Sequence, residues 1–221
     1  MKDYKEQIFS LFPTPVYNRV LGRINISEEE LDGVKEKCFH RPNEGNSTLV
    51  TAETGSSNIL DFDIFSNIKK EIEISVERYT KEYLRWNNNY NLKIVSSWMN
   101  VIDKEYQFHH AHSHANSIIS GVFYLRTLLE DKIFFGREKL TSGFNVSIAN
   151  NFEDFNIYNA DNWWLPVENN YLYIFPSSLT HWVSNNTEND YEKYNRVSIS
   201  FNTFFDNVEL TPENPTTFLK V

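Results

Sequence analysis

Residues 109–125, HHAHSHANSIISGVFYL, carry the reading that decides the fold. Ile118 to Leu125 forms a short run of β type, and others of the same kind lie on both sides of it. Lys93 to Ile102 precedes it; Lys132 to Phe135, Asn145 to Ala149, Tyr171 to Phe175, Trp182 to Ser184 and Arg196 to Phe204 follow. Asn, Asp, Gly and Pro turns separate these runs, with no helical segment between them. Everything from about residue 92 onward therefore reads as strand and turn.

The front of the chain reads differently. Ser27 and Glu30 form a capping box, each side chain meeting the other's free backbone N–H, and helical spacing runs from there to about Cys38. Polar residues from Arg41 to Ser57 read as a loop. Ile64, Phe65, Ile68, Ile72, Val76, Tyr79 and Tyr83 then recur at three- and four-residue steps, which predicts a longer helix from about Asp61 to Trp86. Ahead of both helices, Pro13 and Pro15 exclude a helix over residues 7 to 20 and suit an extended edge segment. Helices first and many strands afterwards argue for a mainly β protein, an antiparallel sandwich or jelly roll with the helices packed on one sheet.

The chain of 221 residues is 40% hydrophobic and 23% charged, the composition of one globular domain. One domain over 1–221 is expected, with a helical front part at about 20–90 and a β core at about 91–206. A formal charge of -9 offers no basic footprint, so no nucleic acid and no membrane surface is expected as a partner. No stretch approaches a membrane span, and MKDYKEQIF lacks the apolar core of a secretory signal, so a cytoplasmic protein is expected. The single cysteine, Cys38, excludes an internal disulfide framework and a thiolate cluster within one chain. A metal here would need histidine and carboxylate ligands.

Five of the six histidines fall in two places, His109, His110, His112 and His114 in the opening stretch and His181 in FPSSLTHWV. On an extended strand alternate side chains share a face, so His110, His112 and His114 can point one way and two of them can grip one ion. His181, just past a run ending at Phe175 and Pro176, is the candidate for a third ligand from a distant strand. His40 and His109 read as ordinary hydrogen-bonded histidines. Imidazoles without cysteine suit Fe, Zn, Cu or Ni, and three ligands with open positions suit catalysis better than a closed structural site. Spacing leaves the metal open.

In RVSISFN, Arg196, Ser198, Ser200 and Asn202 alternate with Val197, Ile199 and Phe201. The polar face is either solvated or lines a cavity in which Arg196 awaits a carboxylate, a task that suits the rigid, permanently charged guanidinium fork. Tyr124, alternating with Val122 and Ser120, either joins Arg196 there or is a plain core tyrosine.

Together these segments resemble the 2-oxoglutarate and Fe(II)-dependent oxygenases, and within them a family of small oxygenases of marine bacteria and their phages. The likeness rests on LFPTPVY at 11–17, SWMN at 97–100, HSHANSIISGVFYL at 112–125, FPSSLTHWV at 175–183 and RVSISFN at 196–202, taken in that order. It implies a double-stranded β-helix, a cupin-like jelly roll with helices on the major sheet. It implies Fe(II) held by His112, His114 and His181, with 2-oxoglutarate as co-substrate and O2 as oxidant. It further implies Arg196, Ser198 and Tyr124 at the distal carboxylate of 2-oxoglutarate, with Trp98, Asn100 and Asn202 at family-like strand positions, Asn100 and Asn202 being carried as cofactor-side candidates. His114 stands where most of the superfamily has a carboxylate, which leaves three neutral ligands, and NNTENDYEK after Val183 and Ser184 lengthens the approach to Arg196.

The implied reaction is a dioxygenation that hydroxylates a small molecule, peptide or protein side chain while 2-oxoglutarate is decarboxylated to succinate and CO2. Substrate is expected to enter over residues 150–164, whose Phe152, Phe155, Tyr158, Trp163 and Trp164 are otherwise core, and homodimerisation is left open. Two rivals are a three-histidine zinc hydratase or hydrolase, which gives Arg196 no role, and a non-catalytic cupin-like binding protein.

Overall fold

Residues 10, 12–22, 24–43, 46–51, 58–103, 107–137, 154, 156–184 and 195–206 are described by the structure, a computed structural model. Eleven strands among them form two antiparallel sheets. In chain order they are β1 (Tyr17–Val20), β2 (Cys38–Asn43), β3 (Asn46–Thr51), β4 (Leu92–Ile102), β5 (His109–His112), β6 (Ile119–Arg126), β7 (Lys132–Gly136), β8 (Asn162–Pro166), β9 (Tyr171–Pro176), β10 (His181–Val183) and β11 (Arg196–Phe205). The larger sheet runs β1-β9-β6-β11-β4-β3-β2 and the smaller β5-β10-β7-β8.

Helix α1 (Glu28–Lys35) starts at the expected capping box, with Ser27 Oγ accepting from the Glu30 N–H and Glu30 accepting from the Ser27 N–H at 2.8 Å. It stops at Lys35, short of Cys38, because Cys38 opens β2. The expected loop from Arg41 to Ser57 is corrected in the same place: β2 and β3 pair as a hairpin from Cys38↔Thr51 to Asn43↔Asn46. The Ser and Thr residues that resemble a turn are here strand residues, and Pro42 is tolerated because β2 is the outermost strand of its sheet, where one row of N–H groups needs no partner.

The second helical segment begins with two 3-10 turns, Ile59–Asp61 and Asp63–Phe65, continues as α2 (Ser66–Arg78) and closes in a π turn at Tyr79–Tyr83. Ile68, Ile72, Val76 and Tyr79 are buried as their spacing predicts, against Met99 and Val101 of β4, Phe123 of β6 and Val197, Ile199 and Phe201 of β11. Burying each aliphatic side chain is worth about 1.5–3 kcal/mol, which far exceeds the intrinsic helix preference of a sequence this polar. Tyr83 departs from the expected stripe and is exposed. Arg19 of β1 bonds both Glu71 and Ser75 of α2, and Tyr79 donates to the Pro15 carbonyl at 2.9 Å, so the extended edge segment is tied down to the helix.

With the apolar face of β11 against the helices, its polar face turns toward the smaller sheet. Val122, Tyr124, Ile133, Phe135, Tyr173 and Phe175 fill the space between the sheets on that side. The faces of β11 thus have the reverse of their usual meaning, and the polar one looks inward.

Gly121 makes this packing close. A Cβ there would lie 2.6 Å from the Tyr173 carbonyl oxygen and would clash with the edge of the Phe201 ring. The expected strand at residues 145–149, the enlarged turn at 185–193 and residues 7–9 and 11 of the edge segment lie outside the described residues, as do the side chains of β2 beyond Cys38, His40 included.

Candidate active site

The smaller sheet sets the histidines by register. His181 of β10 is paired directly with His112 of β5, and Val183 with His109. One residue separates the two β10 partners and two separate the β5 partners, so β5 carries a bulge at His110 and Ala111. An extra residue shifts the face of a strand by one. His109 and His112, three apart, therefore both line the cavity between the sheets, while His110 is exposed with the Phe108 ring edge-on to it at 4.6 Å. This corrects the expectation that His110 shares a face with His112. Nothing in the alternation of the sequence signals a bulge; only the register against β10 reveals it.

His114 lies past the end of β5, in a turn that a polar network braces. Its N–H donates to the Ser177 carbonyl at 2.9 Å, and Ser177 is hydrogen-bonded to both Ser117 and Ser120. Asn202 accepts from Ser120 at 2.7 Å, so this candidate stands in the network behind His114 and is not among the residues that line the cavity. Asn116 takes the left-handed conformation of the turn, φ 56°, which asparagine tolerates better than most residues.

The ligand atoms of His112, His114 and His181 lie within 4.8 Å of one another. His114 Nε2 and His181 Nε2 are 3.2 Å apart. His112 Nδ1 contacts the His110 carbonyl at 2.6 Å and His181 Nδ1 the Leu179 carbonyl at 2.9 Å. A carbonyl can only accept, so both Nδ1 atoms carry the proton and both Nε2 atoms present a lone pair. Burial holds His181 at about 3 and His114 at about 4, the neighbouring histidines pushing the same way and the Leu179 carbonyl opposing at His181, so these imidazoles are neutral near pH 7.

The donor set fits a divalent transition metal. It offers three neutral nitrogens and no thiolate, and two neighbouring ligands with metal–nitrogen bonds of about 2.1 Å would stand about 3 Å apart, close to the His114–His181 separation. Exposure falls from His112 to His114 to His181, so solvent reaches the set from the β5 side.

The same cavity is lined from the larger sheet by Trp98, Asn100, Tyr124, Arg196, Ser198 and Ser200. Strand register explains why: Ser198 is paired with Asn100 on one side and Tyr124 on the other, and Ser200 with Trp98 and Val122. Asn100 donates to Ser200 at 3.0 Å, and the Trp98 ring lies 5.4 Å from that of His114. Arg196 is only 2% exposed. Its Nη2 donates to the Tyr124 hydroxyl at 3.2 Å, its Nε lies 3.2 Å from Asp131 Oδ2 in an ion pair not aligned as a hydrogen bond, and its Nη1 meets no acceptor among the described residues. A buried guanidinium with unused donors is a site prepared for an anion, and fits the far carboxylate of 2-oxoglutarate. Asp131 escaped the sequence reading because an acidic residue just ahead of a strand resembles any turn residue.

Of the residues expected at a substrate entrance, Trp163 and Trp164 lie on β8 at 43% and 46% exposure and Tyr158 is exposed, so they are not core, and none lines the cavity; Phe152 and Phe155 lie outside the described residues. No described helix is long and apolar enough to cross a membrane.

No curated protein sequence matches the chain. Among solved structures it is similar to the non-heme alpha ketoglutarate dependent carbocyclase SnoK from nogalamycin biosynthesis, at 12% identity and TM-score 0.54, over 87% of this chain and 80% of that one. It is also similar to the epimerase SnoN in complex with Fe3+, alpha ketoglutarate and nogalamycin RO, at 11% identity and TM-score 0.52, over 86% and 78%. HygX from Streptomyces hygroscopicus, with nickel, 2-oxoglutarate and hygromycin B bound, is similar at 8% identity and TM-score 0.50, over 86% and 82%. At such identities the likeness establishes the fold, a double-stranded β-helix. The family model described as "Putative 2OG-Fe(II) oxygenase" matches residues 96–202, the span that begins at β4, contains all three histidines and ends within β11. That match, to a 2OG-Fe(II) oxygenase family, covers just under half of the chain.

Proposed function

We propose that this oxygenase hydroxylates its substrate, with His112, His114 and His181 holding Fe(II) and Arg196 holding the far carboxylate of 2-oxoglutarate. Fe(II), 2-oxoglutarate and O2 together supply an oxidation in which one oxygen atom enters succinate, CO2 is released and the other oxygen atom becomes available to a substrate C–H bond. The chain supplies placement. The observation that carries the reading is the sharing of one cavity by three converging imidazoles and a buried guanidinium with an unused Nη1.

Each lining residue has a task under this reading. The carbonyls of His110 and Leu179 fix the tautomers of His112 and His181, so that Nε2 faces the ion. Tyr124 holds one edge of Arg196 and offers its own hydroxyl toward the same anion. Ser198 and Asn100 stand beside them on adjacent strands, as polar contacts for the co-substrate. Three neutral ligands leave the ion with one more positive charge than two histidines and a carboxylate would, which favours an anionic co-substrate. A zinc hydratase would account for the histidines and leave the buried Arg196 without a ligand to bind.

The test supplies Fe(II), 2-oxoglutarate and 18O2 to the protein in a small-molecule and peptide extract. Succinate should form, and a product should gain one 18O atom. Succinate accompanied only by products that have lost two hydrogens would replace hydroxylation with desaturation. Absence of succinate would reject the reading.

A further inference from the structure

Among the described residues Asp131 is the one side chain in an ion pair with Arg196, and the proposed reaction leaves it without a task. It is 8% exposed and stands at the start of β7, on the smaller sheet, facing β11 across the interior. Its Oδ1 accepts from the Lys132 N–H at 2.8 Å, which fixes the carboxylate to its own backbone and aims Oδ2 at Arg196 Nε. The guanidinium is thus faced at Nε by the Asp131 carboxylate and bonded at Nη2 to Tyr124, and Nη1 meets no acceptor among the described residues.

We infer that Asp131 is a positioning residue for co-substrate recognition, an internal carboxylate that neutralises Arg196 before 2-oxoglutarate arrives and sets how strongly the distal carboxylate is held. This rests on the reading that Arg196 receives that carboxylate. The physical argument concerns charge in a site nearly closed to water. A buried guanidinium without a counter-ion is costly, so the co-substrate-free protein needs Asp131. Once the distal carboxylate binds, two anions share one cation and repel each other, which weakens the gain from binding. Replacing Asp131 with asparagine keeps the shape and the Oδ1 contact and removes the repulsion. It also destabilises the free state more than the bound one, and both effects act in the same direction. Affinity for the dianion should rise, and affinity for an analogue without the distal carboxylate should not.

Calorimetry on the anaerobic Fe(II) protein, parent and Asp131→Asn, with 2-oxoglutarate and with 2-oxovalerate, tests this. The preference for 2-oxoglutarate over 2-oxovalerate should grow on the order of tenfold in the variant, with 2-oxovalerate and Fe(II) affinities unchanged. A merely structural role would move both ligands together. An unchanged or smaller preference overturns the inference. Should Asp131→Asn be too unstable for calorimetry, thermal melting replaces it: 2-oxoglutarate must raise the melting temperature more than in the parent while 2-oxovalerate does not, and equal rises overturn the inference. A parent that fails to bind 2-oxoglutarate, or an Arg196→Ala variant of undiminished affinity, defeats the reading of the site and the inference with it. A parent that binds through Arg196 with a preference that Asp131→Asn leaves unmoved defeats the inference alone.

Discussion

His112 and His181 face each other across the β5–β10 pair, direct partners in register with ring centroids 4.4 Å apart, although they stand 69 positions apart in the chain. A ligand pair set by strand pairing is rigid, since each backbone is held by its neighbour and each Nδ1 by a carbonyl. Removing either imidazole should therefore weaken Fe(II) binding by more than the roughly 10- to 100-fold that loss of a supporting hydrogen bond costs. Metal titration of His112→Ala and His181→Ala checks this. Full occupancy in both would remove them from the centre.

His114 is expected to be the third ligand. His114→Ala should weaken Fe(II) binding, and His114→Asp should keep it by restoring a carboxylate to that place. His110→Ala should leave it unchanged, because the bulge turns the His110 side chain outward and His112 uses only the His110 carbonyl, which alanine retains. Dissociation constants that are equal for His114→Ala and the parent, or a larger loss at His110, would reject this ligand set.

The division of labour between sequence and structure is clear in this pair of histidines. Period-two alternation placed Arg196, Ser198 and Ser200 on one face of β11, and the structure has them lining the cavity. The same rule failed in β5, because a bulge depends on the partner strand and not on the strand's own composition. Asp131 was invisible for a related reason, since its neighbour Arg196 comes from a strand that folds back from far along the chain. The β2–β3 hairpin is not legible in the sequence, because Pro42 and a run of polar residues resemble a loop unless the strand is known to be an edge. Helix positions, by contrast, were legible from local capping and spacing alone, as Ser27 and Ile72 show.

Arg196→Ala should weaken 2-oxoglutarate binding by about 2–5 kcal/mol, the usual cost of truncating one partner of a buried hydrogen-bonded charge pair. The loss should fall at the upper end, since the variant leaves the Asp131 carboxylate facing the incoming one. Following the metal-to-ligand charge-transfer absorption during a 2-oxoglutarate titration of the Fe(II) protein reads it directly. Undiminished affinity would place the anion elsewhere.

Stability of the metal-free protein should fall on mild acidification. Burial first, then Arg196 and the nearby His112, His181 and His110, hold His109 at about 3, well below the 6.5 of an unfolded histidine. Above pH 6.5 neither state carries that proton and the contribution is complete. As pH falls below 6.5 the unfolded chain takes up a proton that the folded one refuses, so stability drops by up to about 1.4 kcal/mol per pH unit for each such group until its folded value is reached. His114 and His181 add to the slope with the same sign. Urea midpoints between pH 7.5 and 5 should show the decline, and His109→Gln should make it shallower. A parent midpoint independent of pH over that range would contradict the burial of these rings.

Gly121→Ala is expected to destabilise the fold and, through it, the site. Gly121 is paired with Ile174 on one side and Phe201 on the other, and an added methyl would meet the Phe201 ring and the Tyr173 carbonyl together. The ring can turn aside only into the helix-facing core, and the carbonyl belongs to a strand held from both sides, so the cost should be about 1–3 kcal/mol, as for other overpacked cores. Chemical denaturation measures it. Because β11 would have to shift, the variant should also bind 2-oxoglutarate less tightly while Fe(II), held mainly by the smaller sheet, is retained. Loss of Fe(II) with 2-oxoglutarate affinity intact would show that the two sheets do not divide the site in this way.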